Sequence, residues 1–84
     1  MYEDYSWIAL GIQRRKVIKV LDKEKNPTQI KEETKLSLNN VSDVLRSFEK
    51  KNIVKCINPK EKTGHIYKLT TKGMKIREMF EKEE

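Results

Sequence analysis

The chain has 84 residues, of which 38% are charged and 7% aromatic, and its net charge is +6; it is one small domain whose core is marginal unless a partner covers more, because a chain this short buries only about 60% of its unfolded surface. A single cysteine, Cys56, excludes an internal disulfide and a cysteine-rich metal site. There is no run of about 20 apolar residues and no signal-peptide pattern, so a soluble, cytoplasmic protein with no membrane partner is expected.

The charge is unevenly placed. Residues 37–75 carry nine Lys/Arg against three Asp/Glu, a local +6, whereas 1–36 carry eight against six and 76–84 two against four. Such a patch favours a polyanion. Its bland counterpart is a lysine-rich surface that only keeps the protein in solution. The Lys/Glu/Ile-heavy composition points toward a thermophilic source.

In chain order, Tyr2 to Ser6 is a short leader with two tyrosines and two acids. The pattern then predicts a helix from about Ser6 to about Lys23, apolar on two sides. Trp7, Leu10, Val17, Ile18 and Leu21 fall within about 100° of arc, with Ile8, Ala9, Ile12 and Val20 on the far side. Gly11 inside a helix costs about 1 kcal/mol relative to Ala, so a break there is the alternative. Arg14, Arg15 and Lys16 are expected to be solvated.

Asn26 to Val54 reads as two helices joined by a very short turn. Asn26 is a good N-cap, Pro27 takes the first helical position, and Gln29 completes a capping-box spacing. The first helix is expected to run to about Thr34 and bury Ile30, with Leu36 inside the turn. Ser37 caps the second, which ends near Lys51 with Asn52 in the left-handed position beyond it. Val41, Val44, Leu45 and Phe48 stand at i, i+3, i+4 and i+7. Asn39, Asp43, Arg46 and Lys50 fall opposite. A helix held by one face and offering short polar groups and an arginine on the other suits the major groove of DNA. An ordinary amphipathic helix with a solvated face carries the same pattern.

Ile53 to Ile57 has the β-branched content of a strand. Residues 58–64, from Asn58 to Gly64, form a polar turn segment, and His65 to Leu69 then alternates, giving a hairpin around a basic loop. Thr70 or Thr71 caps a final helix with Ile76, Met79 and Phe80 at i, i+3 and i+4. Nothing supports catalysis: there is no phosphate-cradling Gly-Lys-Ser/Thr loop, no Gly-x-Ser-x-Gly and no histidine pair. His65 is the only histidine. Neighbouring Glu32 and Glu33 point in different directions, as a solvated helix face would have them. Neither an enzyme, a cofactor nor a metal is expected.

Four blocks occur in a telling order: Pro27-Thr28-Gln29-Ile30; Leu36-Ser37-Leu38 with Val41-Ser42; Leu45 followed by Phe48-Glu49-Lys50-Lys51-Asn52-Ile53-Val54; and Tyr67-Lys68-Leu69-Thr70-Thr71-Lys72-Gly73. Over about residues 7–80 this resembles the small archaeal transcriptional regulators of the MarR/ArsR-like winged-helix superfamily. The resemblance implies an α+β, mostly helical winged helix-turn-helix domain with a three-helix core, a two-stranded wing and a C-terminal helix. It also implies a recognition helix at 37–51, a wing at 58–65, and often a dimer on a two-fold operator. The chain departs from the pattern in three places. Lys35 stands where the family has Gly in the turn, so a left-handed residue there carries strain. Asp43 lies on the DNA face, where it either accepts from a cytosine amino group or repels phosphate. His65 takes the wing position commonly held by Arg. The cysteine-based metal-sensing motif of the arsenic-type sensors is absent, and Cys56 is expected to be a small buried strand residue.

The expected function is sequence-specific binding of double-stranded DNA as a transcriptional regulator. Its contacts would come from Thr28, Gln29, Ser37, Asn39, Asn40, Ser42, Asp43, Arg46 and Lys50 of the two helices and Lys60, Lys62, Thr63 and His65 of the wing. A homodimer is expected through Trp7, Ile8, Ile12, Met79 and Phe80, because a small domain does not normally leave that much apolar surface in water. The alternative is a protein-interaction module within a larger assembly.

Overall fold

The computed structural model describes residues 2–83. In order they form α1 (Tyr2–Ala9), α2 (Ile12–Val20), α3 (Pro27–Thr34), α4 (Leu38–Lys50), β1 (Val54–Cys56), β2 (Tyr67–Leu69) and α5 (Thr71–Lys82). This is an α+β fold, mostly helical, with one two-stranded antiparallel sheet.

Local signals determine the α3–α4 pair. The Asn26 side chain accepts from the Gln29 amide at 2.8 Å and the Gln29 side chain accepts from the Asn26 amide at 2.9 Å, so two orphan donors of the first turn are satisfied reciprocally. Lys35 ends α3 with φ 65, in the left-handed region, despite being no glycine. Ser37 then accepts from the Asn40 amide at 3.1 Å and opens α4, and Asn52, at φ 60, follows its end. Val41, Val44, Leu45 and Phe48 are all buried, and they join Ile8, Ile18, Ile30, Ile53 and Ile76 in one core.

The N-terminal quarter departs from expectation. The helix expected over 6–23 is two helices, and the leader belongs to the first of them. Gly11, with φ −112 and ψ 116, is the extended N-cap of α2. The break changes the phase between the segments. Ile8, Val17, Ile18 and Leu21 enter the core, while Leu10 is 86% exposed and Ile12 63%. One continuous helix would have kept Leu10 in line with Val17 and Ile18. Arg14, expected in solvent, closes the corner instead. It donates to the Trp7 carbonyl at 2.7 Å, one of the carbonyls that the end of α1 leaves without an intrahelical partner, and its guanidinium lies 4.3 Å from the Trp7 ring centre. The short α1 folds back over its own domain: Tyr5 stacks on Phe80 with ring centres 4.6 Å apart, its hydroxyl bonds the Glu83 carboxylate, and Trp7 meets Phe48 edge-on. Asp4 reaches Lys72 at 2.7 Å. That bond, with lesser help from Lys51, holds the Asp4 carboxyl below the ordinary range even though burial opposes it.

β1 and β2 pair with Val54 opposite Leu69 and Cys56 opposite Tyr67. Tyr67 also exchanges both backbone hydrogen bonds with Lys25, each at 2.9 Å. The Lys25 side chain is buried and contacts the Val20 carbonyl and Glu33, each at 2.6 Å, and Asp22 at 3.0 Å. Burial alone would lower its pKa, but the bonds to Glu33 and Asp22 prevail and raise it. At the other end of the sheet, Thr70 caps α5 and gives its amide to the Ile53 carbonyl at 2.9 Å. A Cβ on Gly73 would stand 2.2 Å from that same carbonyl oxygen, so only glycine lets α5 seat there.

Candidate nucleic-acid interface

Packing its apolar stripe turns the other side of α4 outward. Asn39, Asp43, Arg46 and Lys50 are all exposed. Arg46 and Asp43 stand one turn apart and their side chains meet at 3.2 Å, each about two-thirds exposed. The pair is a solvent-exposed i, i+3 contact on α4, so water and salt weaken it and both groups remain open to a partner.

The loop between the strands is shaped by Asn58, whose role no sequence signal beyond turn composition suggested. Its side-chain oxygen accepts from the Ile66 amide at 2.8 Å and from the Cys56 thiol at 3.4 Å, and its amide donates to the Gly64 carbonyl at 3.0 Å. Cys56, expected to be buried, is half-buried at this pivot. Gly64 takes φ +70 with open space around it. The bracketed loop carries Lys60, Lys62 and Thr63 into solvent. His65 turns back instead: its Nε2 lies 2.5 Å from the Glu61 carbonyl, so the ring packs on its own loop.

α3, α4 and this loop converge on one open groove of about 370 Å³, lined by Asn26, Pro27, Thr28, Leu38, Ser42, Thr63, Gly64, His65 and Tyr67. Four of the expected DNA contacts, Thr28, Ser42, Thr63 and His65, thus share one concavity although they are spread over 38 positions of the chain. Two others are partly committed. The Gln29 oxygen is held by the capping box, and the Ser37 hydroxyl accepts from Asn40, leaving its proton to donate. Half-buried Asn40 lies on the flank of α4 away from Leu38.

The positive patch divides in three dimensions. Lys51 and Lys72 are drawn to Asp4 at 3.9 and 2.7 Å, and Lys51 also lies over Trp7 at 4.8 Å, so they anchor α1. Arg46, Lys50, Lys60 and Lys62 remain exposed on the helix face and the loop.

Much of the apolar surface expected to form a dimer is internal. Ile8 is fully buried and Phe80 is 4% exposed, while Trp7 packs against the core under Arg14 and Lys51 and Met79 is half-buried. Ile8 and Phe80 are core residues of their own protomer, because α1 covers α5 within the chain. Of the expected set only Ile12 is exposed, near Leu10, which one continuous helix would have kept in line with Val17 and Ile18. Among the described residues no helix is long and apolar enough to cross a membrane, and no group of three or more His, Cys, Asp or Glu is placed to hold a metal ion. No family model, curated protein or solved structure matches the chain.

Proposed function

We propose that the chain is a winged helix-turn-helix that binds double-stranded DNA as a transcriptional regulator, with α4 entering the major groove and the loop of residues 58–65 lying on the backbone beside it. The observation that carries this reading is the convergence of α3, the first turns of α4 and the Asn58-bracketed loop on one groove, with Arg46 and Lys50 exposed further along α4 and Lys60 and Lys62 exposed on the loop. A helix anchored by four buried apolar residues meets the rigidity that base reading demands. Short hydroxyls at the groove wall suit phosphate and base edges. No catalytic or cofactor role is part of the proposal.

Salt dependence tests it. The four exposed cations of the α4 face and the loop, Arg46, Lys50, Lys60 and Lys62, give an expected slope of log K against log salt of about −3 to −4 for each protomer bound, or about −7 for two. A slope near zero, or no duplex binding at about 50 mM salt, defeats the proposal.

A protein-interaction module is the second reading, favoured by exposed Leu10 and Ile12 at the rim of a groove that runs along Arg14, Asp43 and Ser47. Duplex binding no stronger than that of a charge-matched control protein would favour it. Of the expected homodimer contact only Ile12 is open to a second copy, with Leu10, outside the expected set, exposed near it, and a dimer is proposed on that narrower patch.

A further inference from the structure

Leu38 is the first residue of α4 and is 46% exposed. It belongs to no apolar cluster on its side of the helix. Its i+4 neighbour on the same stripe is Ser42, and besides Pro27 and Tyr67 its groove is walled by Asn26, Thr28, Thr63, Gly64 and His65. What singles Leu38 out among the exposed apolar residues is its place, where α3, the start of α4 and the loop meet, so that it presents an apolar side chain to whatever fills that groove. Serine or glutamate there would leave α4 equally well capped, because the cap is made by Ser37 and the Asn40 amide.

In the major groove of B-DNA the bases present one apolar group, the 5-methyl of a pyrimidine. We propose that Leu38 is a specificity-determining residue that packs against a pyrimidine 5-methyl group, thymine in unmodified DNA, while the adjacent Asn39, and Arg46 about two turns further along the outward face, contact polar base edges. The assignment rests on the DNA-binding reading above. It commits the first turn of α4, the end nearest Thr28 and the loop, to the floor of the groove.

The experiment starts from duplexes selected by the full-length protein out of a random pool. Each thymine of the selected site is replaced in turn by deoxyuridine, which removes the methyl and nothing else, and each cytosine by 5-methylcytosine, which adds one. The expected result is one position per half-site where deoxyuridine weakens binding about fourfold, equivalent to about 0.8 kcal/mol at 1.4 kcal/mol per factor of ten. Leu38→Ala should bind the thymine and deoxyuridine duplexes equally. The variant's fold is checked by its unchanged thermal transition, which an exposed side chain outside the core should not move. If instead one cytosine position gains about fourfold on methylation and no thymine position responds, the methyl contact stands and its source is 5-methylcytosine. Duplex binding with no position sensitive to either change overturns the assignment and leaves DNA binding intact. So does a sensitivity that Leu38→Ala retains, since another residue would then be reading the methyl. Failure to select or bind any duplex overturns the DNA-binding reading itself, and this assignment with it.

Discussion

Gly73→Ala is the substitution whose cost is most directly worked out. Gly73 lies in the first turn of α5, a place where Ala would ordinarily gain about 1 kcal/mol of helix propensity. Here the added methyl would stand 2.2 Å from the Ile53 carbonyl oxygen and 3.0 Å from a Leu69 methyl. Real Cβ atoms do not approach closer than 3.0 Å, so helix and carbonyl must separate by about 0.8 Å. That oxygen also accepts from the Thr70 amide at 2.9 Å and the Thr70 hydroxyl at 3.1 Å, so the shift stretches the cap of α5 as well. Overpacking of about 1–3 kcal/mol and roughly 1 kcal/mol for each weakened hydrogen bond outweigh the propensity gain. The net expectation is a loss of about 2–3 kcal/mol, or about 10–20 °C in Tm for a domain of this size. Urea and thermal unfolding followed by far-ultraviolet circular dichroism and Trp7 fluorescence measure it. An unchanged or raised Tm would mean that α5 does not seat against Ile53 as described.

Lys35→Gly should act in the opposite direction. The left-handed φ of 65 costs a non-glycine residue about 1–2 kcal/mol, partly offset by the extra unfolded freedom of glycine, so Tm should rise by a few degrees, and a fall would contradict the strain. Asp4 has its pKa lowered by Lys72, so its contribution is present above the unfolded value near 3.9 and is lost as pH falls through the folded one. Asp4→Asn should therefore cost about 0.5–1 kcal/mol at pH 7 and flatten the acid limb of a stability–pH profile below about pH 4, whereas an identical limb would remove Asp4 from it. Arg46→Ala should cost about 1–3 kcal/mol on the preferred duplex, while Lys60→Ala or Lys62→Ala should weaken all sequences alike and reduce the salt slope by about one each. A change of sequence preference with Lys60→Ala but not with Arg46→Ala would make the loop the reading element. Sedimentation equilibrium at tens of micromolar should show self-association that Ile12→Glu abolishes; a wild-type monomer ends the dimer proposal.

The α3–α4 pair was fully legible in the sequence because every determinant of it is local. Asn26, Gln29, Ser37 and Asn52 act within four residues of themselves, and the period of Val41, Val44, Leu45 and Phe48 specifies the buried face regardless of what covers it. The strands, three residues each where five were expected, and a threonine cap on α5, left open between Thr70 and Thr71, followed from short-range chemistry, and the outward position of Asn39, Asp43, Arg46 and Lys50 was the geometric complement of that period. The N-terminal quarter was legible only as two alternatives, one long helix or a break at Gly11, and the structure takes the second. An apolar residue beside Gly11 has the same identity whether it faces a core or water, and only the turn at Leu10-Gly11 and the anchoring of α1 by Tyr5, Asp4 and Arg14 decided that Ile8 goes in and Leu10 out. Tertiary structure alone also divided the lysines between α1 and the open face. It brought Lys25 beside Tyr67, pressed Gly73 against Ile53, and gathered Thr28, Ser42, Thr63 and His65 around Leu38. Each of these joins residues distant along the chain, and a contact across that distance depends on the path of the backbone between them, which local propensity and periodicity leave undetermined.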